Sequence, residues 1–370
     1  MSSWEFGAET FQRRREKVQE LMRRQGVDIF AVCPSANLYY LSGYSYPADE
    51  RLLLLILPAD SPPFLFVNCL YQTPALALES AVYWTDGEDP LGLLKKALAV
   101  RDLSCRTIAL EGAMPALFTL PLSRLFPESR FVLGDSLTMP LRQCKEAQEL
   151  DRIRWACRAA DQALEELIAQ GRYWLGKTEE DFSEALGRRL RKAGLDRYGS
   201  VVAAGDHGAA PHHTPGSRVI REGQGLLIDF WGAYGGYYTD CTRTFHVGKP
   251  SAEFERVHRI VLEAHLAAEA AARPGCTLGD VDAAARQHIE RSGYGAYFTH
   301  RTGHGLGLDA HEGVSAAPGE ETPIEAGMVF SIEPGIYLPG KFGVRIENLI
   351  APRQGGAEVL HQYPRELILL

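Results

Sequence analysis

The first 140 residues alternate between short apolar runs and charged, helix-like segments. Residues 8–25 form a charged helical pattern, and residues 91–100 form a second helical stretch between apolar runs. The apolar runs are typical of buried strands and occupy residues 29–34, 51–58, 63–68, 107–112 and 130–135. Strands that alternate with helices in this way predict a layered α/β domain that ends near residue 140.

Four amphipathic helices are predicted in the second half of the chain. The first helix has one apolar face whose members recur at steps of three and four: Leu150, Ile153, Cys157, Ala160, Leu164 and Leu167. Thr178 is predicted to cap the second helix and Thr277 the fourth, because a threonine hydroxyl can accept a backbone N–H of the first turn. A third apolar face runs from Phe254 to Ala271, and Gly293 is expected to end the fourth helix.

Three strand-like runs lie between and after these helices, at residues 225–245, 328–337 and 343–351. The first run contains a Gly-Gly pair that suits a hairpin turn. This pattern predicts an α+β domain over residues 145–370, with paired helices on one side of an antiparallel sheet. A chain of 370 residues is too long for one ordinary domain, so two domains are expected.

Composition and charge exclude several classes of function. The chain has 39 basic and 47 acidic residues, and without a basic stripe it is not expected to bind nucleic acid. No apolar run approaches the length of a membrane span, and the charged N-terminal segment shows no secretory signal. Seven scattered cysteines without a Cys-x-x-Cys pair argue against a disulfide framework, so a reducing cytoplasm is the expected location.

Two aspartates are placed to meet on neighbouring strands. Asp229 ends the apolar run GLLID, and Asp240 lies eleven residues later, beyond the Gly235-Gly236 pair. A hairpin that turns at these glycines would bring the two carboxylates side by side. A single aspartate in a strand is more often an edge or turn residue. Two carboxylates delivered by an apolar strand need a cation or hydrogen-bond donors, because their burial otherwise costs several kcal/mol.

Further candidates for chemistry follow downstream. His304 lies in the glycine-flanked loop TGHGLG, and Glu333 follows the apolar run MVFSI and precedes Pro-Gly. Arg345 and Glu347 are two residues apart in GVRIEN, so they are expected to share one strand face. Each of these residues alone would more often be a surface or hydrogen-bonding group. Together with the two aspartates they form a constellation on or beside apolar strands.

Four carboxylates and one imidazole offer too many oxygens for a tetrahedral structural zinc site. They suit two divalent cations that share carboxylates at a separation of about 3.5–4 Å. Such a pair of ions can activate a water molecule at neutral pH and polarise a carbonyl group. The oxygen-rich ligand set favours manganese, with cobalt and zinc as alternatives.

A resemblance to a known family rests on four motifs in this sequence: DFWGAYGGYYTDCTRTF, TGHGLGLDAHE, SIEPGIY and GVRIEN. In order and spacing they resemble the motifs of the pita-bread metallopeptidases, in particular prolidase and aminopeptidase P. The segment NLYYLSGYSYP at 37–47 is similar to a recurring segment of the creatinase-type N-terminal domain. The resemblance implies a creatinase-like α/β domain over 1–140 and an α+β pita-bread catalytic domain over 145–370.

The resemblance also implies a ligand set. Asp229 and Asp240 would hold one metal ion, with Asp240 bridging to the second. His304 and Glu333 would hold the second ion, and Glu347 would bridge both.

Other roles follow from the same resemblance. Glu333 would shuttle a proton, while His212 and His311 would contact the scissile carbonyl and the transition state. Arg345 would steady the bridging carboxylate and face the proline side of the substrate. The doublet His212–His213 is ambiguous, and its spacing to the first aspartate favours His212.

The implied activity is hydrolysis of the Xaa-Pro bond, whose tertiary amide has no N–H for ordinary peptidases to bind. Dipeptides are the favoured substrates, and an aminopeptidase P that acts on longer peptides is the alternative. Arg51 is a hypothetical partner for the free proline carboxylate, although an ordinary surface arginine explains it equally well. A homodimer is implied by the resemblance.

Four competing interpretations are weaker. GLGLDA at 305–310 fits a dinucleotide-binding fingerprint, but no strand–turn–helix pattern surrounds it. His311-Glu312 begins an H-E-x-x-H motif that Ser315 breaks. Methionine aminopeptidase resembles only the catalytic half of the chain. A creatinase-like or peptide-binding relative without metal would have lost ligands, and all five are present here.

Overall fold

The computed structural model describes residues 6–71, 78 and 80–370. The chain divides into two compact units, Met1–Leu141 and Arg142–Leu370. Among the helices in these described ranges, none is long and apolar enough to cross a membrane.

The first unit is an α/β layer built on one six-stranded sheet. The sheet has the order β4-β3-β2-β1-β5-β6, in which β2 is antiparallel to both of its neighbours and the other pairs are parallel. Its elements are α1 (Ala8–Gln25), β1 (Ile29–Val32), α2 (Ala36–Ser42), β2 (Leu54–Pro58), β3 (Phe64–Asn68), β4 (Ala81–Trp84), α3 (Pro90–Val100), β5 (Thr107–Leu110), α4 (Ala116–Leu125), β6 (Arg130–Leu133) and α5 (Asp135–Arg142). The five strands predicted from apolar runs are all present.

Local sequence explains several boundaries in this unit. Asp89 caps α3, because its side chain accepts the N–H of Leu91 at 3.1 Å and Pro90 suits the first helical position. Strands β1, β2 and β3 are buried along their whole length, as their continuous apolar runs require. The run at 130–135 instead forms the edge strand β6, which is half exposed.

The second unit combines two helix pairs with antiparallel strands. Strands β7, β8 and β9 form one sheet, β12, β15 and β16 a second, and β13–β14 and β10–β11 form two-stranded ladders. The helices and strands are α6 (Ala147–Ile168), α7 (Glu179–Lys192), β7 (Asp196–Ala204), β8 (Gly225–Tyr234), β9 (Tyr237–His246), α8 (Ala252–Ala271), α9 (Leu278–Arg291), β10 (Gly303–His304), β11 (Ser315–Ala316), β12 (Phe330–Ile332), β13 (Gly335–Leu338), β14 (Phe342–Arg345), β15 (Asn348–Arg353) and β16 (Gly356–Val359).

The predicted caps and the predicted hairpin are confirmed. Thr178 and Thr277 each accept the N–H of the residue three positions later, at 3.0 and 3.1 Å, and complete a reciprocal capping box. The β8–β9 hairpin turns at Gly235 and Gly236, whose φ angles of 54° and 93° favour glycine. Local sequence signals therefore predict the β8–β9 hairpin, which carries Asp229 and Asp240.

Each helix pair covers a separate apolar core. Helices α6 and α7 pack against one face of β7–β9 through a core that includes Leu164, Phe182 and Phe230. Helices α8 and α9 share a second core with the later strands, which includes Val261 and Phe330. These cores leave the opposite face of the β7–β9 sheet for polar chemistry.

Two predicted strand runs are interrupted. The run at 328–337 separates into β12 and β13, with Glu333 in the break, and the run at 343–351 separates into β14 and β15, with Glu347 in the break. Arg345 ends β14, so Arg345 and Glu347 do not share one continuous strand as predicted. At these breaks the side chains of Glu333 and Glu347 do not follow the alternation of a continuous strand.

His265, on α8, is a buried titratable residue that is not among the predicted metal ligands. Its side chain is fully buried, and neither ring nitrogen has a hydrogen-bond partner within the described part of the chain. Its Nδ1 lies 3.8 Å from Glu269 Oε2. Burial lowers the pKa of His265 well below its usual range, and the nearby charge of Arg365 acts in the same direction.

We predict that His265 makes the chain sensitive to acid. Below pH of about 6.5 the unfolded state binds a proton at this histidine and the folded state does not, so the free energy of unfolding falls as the pH falls. His265→Leu should remove about 1.4 kcal/mol of the loss between pH 7.5 and pH 5.5, as measured by urea unfolding. A Leu266→Ala control, at an exposed leucine of the same helix, should keep the wild-type pH dependence. Equal pH dependence in wild type and His265→Leu would contradict the prediction.

Candidate metal centre

The site is built on the free face of the β7–β9 sheet. Because side chains alternate along a strand, Ile228 and Phe230 enter the helix-covered core while Asp229 faces the other way. Asp229 lies opposite Thr242 in the ladder, and Asp240 lies opposite Trp231. The two aspartates therefore lie on adjacent strands, as predicted, but as diagonal neighbours across β8 and β9 and not directly side by side.

The two glutamates are fixed by backbone and hydroxyl hydrogen bonds at the strand breaks. The N–H of Glu333 donates to the Thr302 carbonyl at 2.8 Å, and Ser331 Oγ donates to Glu333 Oε1 at 3.0 Å. The N–H of Glu347 donates to the Thr242 carbonyl at 3.0 Å, and Thr242 Oγ1 donates to Glu347 Oε2 at 2.6 Å. Each carboxylate keeps one oxygen for another partner.

His304 is oriented by its own loop. Its Nδ1 donates to the Gly305 carbonyl at 3.2 Å, so Nε2 is the nitrogen that faces the carboxylates and lies 3.2 Å from Glu333 Oε1 and 3.9 Å from Asp240 Oδ2. The flanking glycine is required by close packing, since a Cβ on Gly303 would lie 1.8 Å from the Ser331 carbonyl oxygen. A carbonyl that fixes the tautomer in this way is typical of metal-binding histidines.

All five predicted ligands line one cavity of about 740 Å³. The ligand atoms of Asp229, Asp240 and Glu347 lie within 4.8 Å of one another, and the same holds for His304, Glu333 and Glu347. The two groups share Glu347. The arrangement thus offers two adjacent cation positions with a common carboxylate.

Unpartnered oxygens show that these residues fit divalent cations. Asp229 Oδ1, Asp240 Oδ1 and Glu347 Oε1 are buried and have no hydrogen-bond partner among the described residues. Burial raises the pKa of Asp229, and burial together with neighbouring carboxylates raises that of Asp240 well above its usual range. The same causes raise the pKa of Glu347 to about 8. Buried oxygens of this kind are normally paired or coordinate a metal.

Glu333 differs from the other carboxylates. Burial raises its pKa, but the hydrogen bond and the positive charge of His304 outweigh burial and lower it to about 2. Glu333 is therefore the carboxylate of the group that most readily stays ionised.

Arg345 is the buried cation of the site. Its Nη2 donates to Asp229 Oδ2 at 2.7 Å, its Nε to Thr242 Oγ1 at 3.1 Å, and its Nη1 to the Tyr337 hydroxyl at 2.8 Å. These bonds fix Asp229 and hold the guanidinium at the cavity wall. One guanidinium does not balance four carboxylates, so further positive charge is needed.

The predicted histidines line the same cavity. The ring of His311 lies 3.8 Å from that of His304, centroid to centroid, and burial and the charge of His304 lower the pKa of His311 to about 4. His212 lies close enough to influence the pKa values of His300 and His311. His213 also lines the cavity, but its Nε2 is 2.8 Å from Glu179 Oε2. Within the doublet, His213 is therefore engaged by Glu179, and the choice of His212 as the residue that contacts the substrate stays a prediction.

His300 and Tyr337 belong to the site but were not identified from the sequence. His300 Nδ1 donates to the Arg301 carbonyl at 2.7 Å, so its Nε2 accepts the Tyr337 hydroxyl at 2.8 Å. The same hydroxyl accepts from Arg345. The spacing of four residues between His300 and His304, and the position of Tyr337 in SIEPGIY, were the signals available in the sequence.

Arg51 lies in the first unit, where carboxylates engage its guanidinium. Its Nε and Nη2 donate to the two carboxylate oxygens of Asp86 at 3.0 and 2.9 Å, and its Nη1 donates to Glu50 at 2.7 Å. This pairing fits an ordinary ion pair. A role in binding the substrate carboxylate stays a prediction.

A fully buried carboxylate organises the segment that carries His212. Glu179 accepts four hydrogen bonds, all from residues 204–216: Ala204 N at 2.8 Å, His207 Nδ1 at 2.9 Å, His213 Nε2 at 2.8 Å and Gly216 N at 3.3 Å. Arg218 Nε donates to His207 Nε2 at 3.2 Å, so the proton of that ring is on Nδ1. The first residue of α7 thus ties down both ends of the segment.

We predict that Glu179→Gln loosens this segment. A glutamine amide nitrogen cannot accept hydrogen bonds, and each Glu179 oxygen accepts two, so two buried or part-buried donors lose their acceptor and the free energy of unfolding should fall by about 2 kcal/mol. Chemical denaturation of the full chain measures the change. Glu184→Gln, at an exposed glutamate of the same helix, is the matched control. Equal unfolding free energies for the two variants would show that Glu179 does not anchor the segment.

Comparisons with known proteins give the family. The model of metallopeptidase family M24 matches residues 151–352, and that of the Creatinase/Prolidase N-terminal domain matches residues 14–144. The chain is 36% identical over 381 residues to the probable dipeptidase PepE of Mycobacterium tuberculosis, covering 100% of this chain and 99% of that protein.

Two solved structures are similar over nearly the whole chain. The dipeptidase of Pyrococcus horikoshii superposes with a TM-score of 0.90 at 35% identity, covering 96% of this chain and 100% of that one. The prolidase of Thermococcus sibiricus superposes with a TM-score of 0.91 at 34% identity, covering 97% and 99%. These matches confirm the predicted creatinase-like first domain and pita-bread catalytic domain. The chain belongs to metallopeptidase family M24.

Proposed function

We propose that this chain hydrolyses the Xaa-Pro bond of dipeptides with two divalent ions held by five residues: Asp229, Asp240, His304, Glu333 and Glu347. The observation that carries the proposal is the pair of three-residue groups that share Glu347 and contain three unpartnered carboxylate oxygens. Membership of a metallopeptidase family supports divalent metal binding. The full-length relatives named dipeptidase and prolidase support the substrate class.

The ligand groups suggest how the ions divide. Asp229 and Asp240 would hold one ion and His304 and Glu333 the other, with Glu347 shared, and the two groups of ligand atoms support this division. Asp240 also lies within 4.8 Å of His304, which supports a bridging role for Asp240. Oxygen-rich ligation favours manganese over cobalt or zinc. When bound, the ions supply an activated water and polarise the scissile carbonyl.

The side chains around the ligands handle the proton and the developing charge. Glu333 can accept a proton from the attacking water and pass it to the proline nitrogen as the bond breaks. His311 is neutral at pH 7 and can donate one N–H to the oxygen of the scissile carbonyl, as can His212. Arg345 keeps Asp229 in place through the reaction.

Two further features belong to the proposal. A cytoplasmic location is supported by the seven cysteines, all of which are free thiols. A homodimer is supported by the resemblance to prolidases.

Leucine release from Leu-Pro and from Leu-Pro-Gly tests the proposed activity, after treatment with a chelator and with or without added manganese. We expect manganese-dependent release from the dipeptide at a higher kcat/KM than hydrolysis of the tripeptide. Preference for the tripeptide would support the aminopeptidase alternative. Hydrolysis that does not depend on any added divalent ion would contradict the metal centre.

We predict that Glu347→Gln removes the shared ligand and with it the paired ions. The bound metal should fall from two ions per chain to one or fewer, and kcat/KM for Leu-Pro should fall by about a hundred- to a thousandfold. Elemental analysis and steady-state kinetics measure both effects. Glu358→Gln, at a part-exposed glutamate paired with Arg154, is the matched control and should keep both values. Two tightly bound ions in Glu347→Gln would rule out the sharing.

A further inference from the structure

Trp231 is an aromatic residue in the cavity that the proposed chemistry does not use. It lies two residues after Asp229 on β8, so both side chains leave the same face of the sheet. In the ladder Trp231 lies opposite Gly199 on β7 and opposite Asp240 on β9. An indole is thus the direct cross-strand neighbour of a proposed metal ligand.

Gly199 makes room for the indole. A Cβ at Gly199 would lie 2.4 Å from Trp231 Cζ2. The indole ring therefore lies over the glycine backbone, and a residue with a side chain would not fit at position 199. Trp231 packs against a small apolar cluster of Val201, Ala203 and Leu227. Gly199, Val201 and Trp231 all line the cavity. Together Val201 and Trp231 form an apolar wall directly beside the carboxylates, which we term the indole wall.

The scissile carbonyl places the substrate relative to this wall. The proposed ligands Asp229 and Asp240 would hold an ion that this carbonyl must reach, and both line the cavity with Trp231. The cavity also holds imidazole and guanidinium groups, from His300, Arg301 and His311, which suit the carbonyl and carboxylate ends. The carbonyl carbon and the side chain of the first residue are bonded to the same Cα. A scissile carbonyl beside Asp240 therefore brings that side chain close to its cross-strand neighbour Trp231.

We propose that the indole wall forms the subsite for the side chain of the residue before proline, and that Trp231 selects apolar side chains such as leucine, methionine and phenylalanine over glycine. The inference rests on the proposed Xaa-Pro hydrolysis and adds the identity of the preferred first residue. Contact of one aliphatic side chain with an apolar wall changes a specificity ratio by about tenfold or more.

The test compares kcat/KM for Gly-Pro, Ala-Pro, Leu-Pro and Phe-Pro in the manganese-loaded wild type and in Trp231→Ala. Wild type should prefer Leu-Pro to Gly-Pro, and Trp231→Ala should lower the Leu-Pro to Gly-Pro ratio about tenfold. Metal content is measured in parallel, so that a damaged metal centre is recognised. Trp231→Phe, which keeps an aromatic ring over Gly199 but reaches less far, should lower the ratio by about threefold and provides the test if Trp231→Ala does not fold.

Tyr198→Ala is the matched control. Tyr198 is aromatic, as Trp231 is, and it precedes Gly199 on β7. It lines a different cavity, together with Gly187 and Arg188. Its removal should leave the Leu-Pro to Gly-Pro ratio at the wild-type value.

Three outcomes would overturn this inference or its basis, and they are distinguishable. An active wild type whose ratio does not change in Trp231→Ala overturns the role of Trp231 alone. A ratio that rises in Trp231→Ala shows that the indole obstructs large side chains and also overturns it. A wild type that hydrolyses none of the four dipeptides overturns the proposed function, whatever the variants do.

Discussion

The repulsion among four buried carboxylates is the constraint on which the catalytic unit depends. Asp229, Asp240, Glu333 and Glu347 converge in one cavity, where the buried guanidinium of Arg345 pairs with Asp229. Isolated charges in such a place cost several kcal/mol each, and three oxygens find no donor among the described residues. Divalent cations would offset this cost. The folded chain would bind them tightly because it already holds the ligands together.

Gathering those ligands against their repulsion requires a rigid frame. Two separate apolar cores, one under α6 and α7 and one under α8 and α9, hold the strands that carry the carboxylates. Hydroxyl groups then fix individual oxygens: Thr242 holds Glu347, and Ser331 holds Glu333. Glu179 performs a similar task for the segment around His212, through backbone amides and two imidazoles. The two apolar cores and these hydrogen bonds thus hold the carboxylate cluster in place against its electrostatic cost.

The predictable parts of the structure are those encoded locally. The turn at Gly235-Gly236 and the capping threonines depend on a few neighbouring residues, so the hairpin and the helix starts followed from sequence. The break at Glu347 did not, because its apolar pattern continues and only the contact with Thr242 reveals the interruption. At Glu333 a local signal was present, since Pro334 has no N–H for a strand ladder. The bond between His213 and Glu179 joins residues 34 positions apart and has no local signal. Family resemblance supplied the ligand roles, and it did not extend to the indole that lies over Gly199.

Anomalous X-ray scattering from crystals of the manganese-loaded chain, recorded at the manganese absorption edge, tests the paired-ion centre most directly. We predict two anomalous peaks about 3.5–4 Å apart, both within bonding distance of Glu347. One peak would be bonded by Asp229 and the other by His304. A single peak in the cavity, or manganese bound instead at the cluster of Glu179, His207 and His213, would contradict the paired-ion centre.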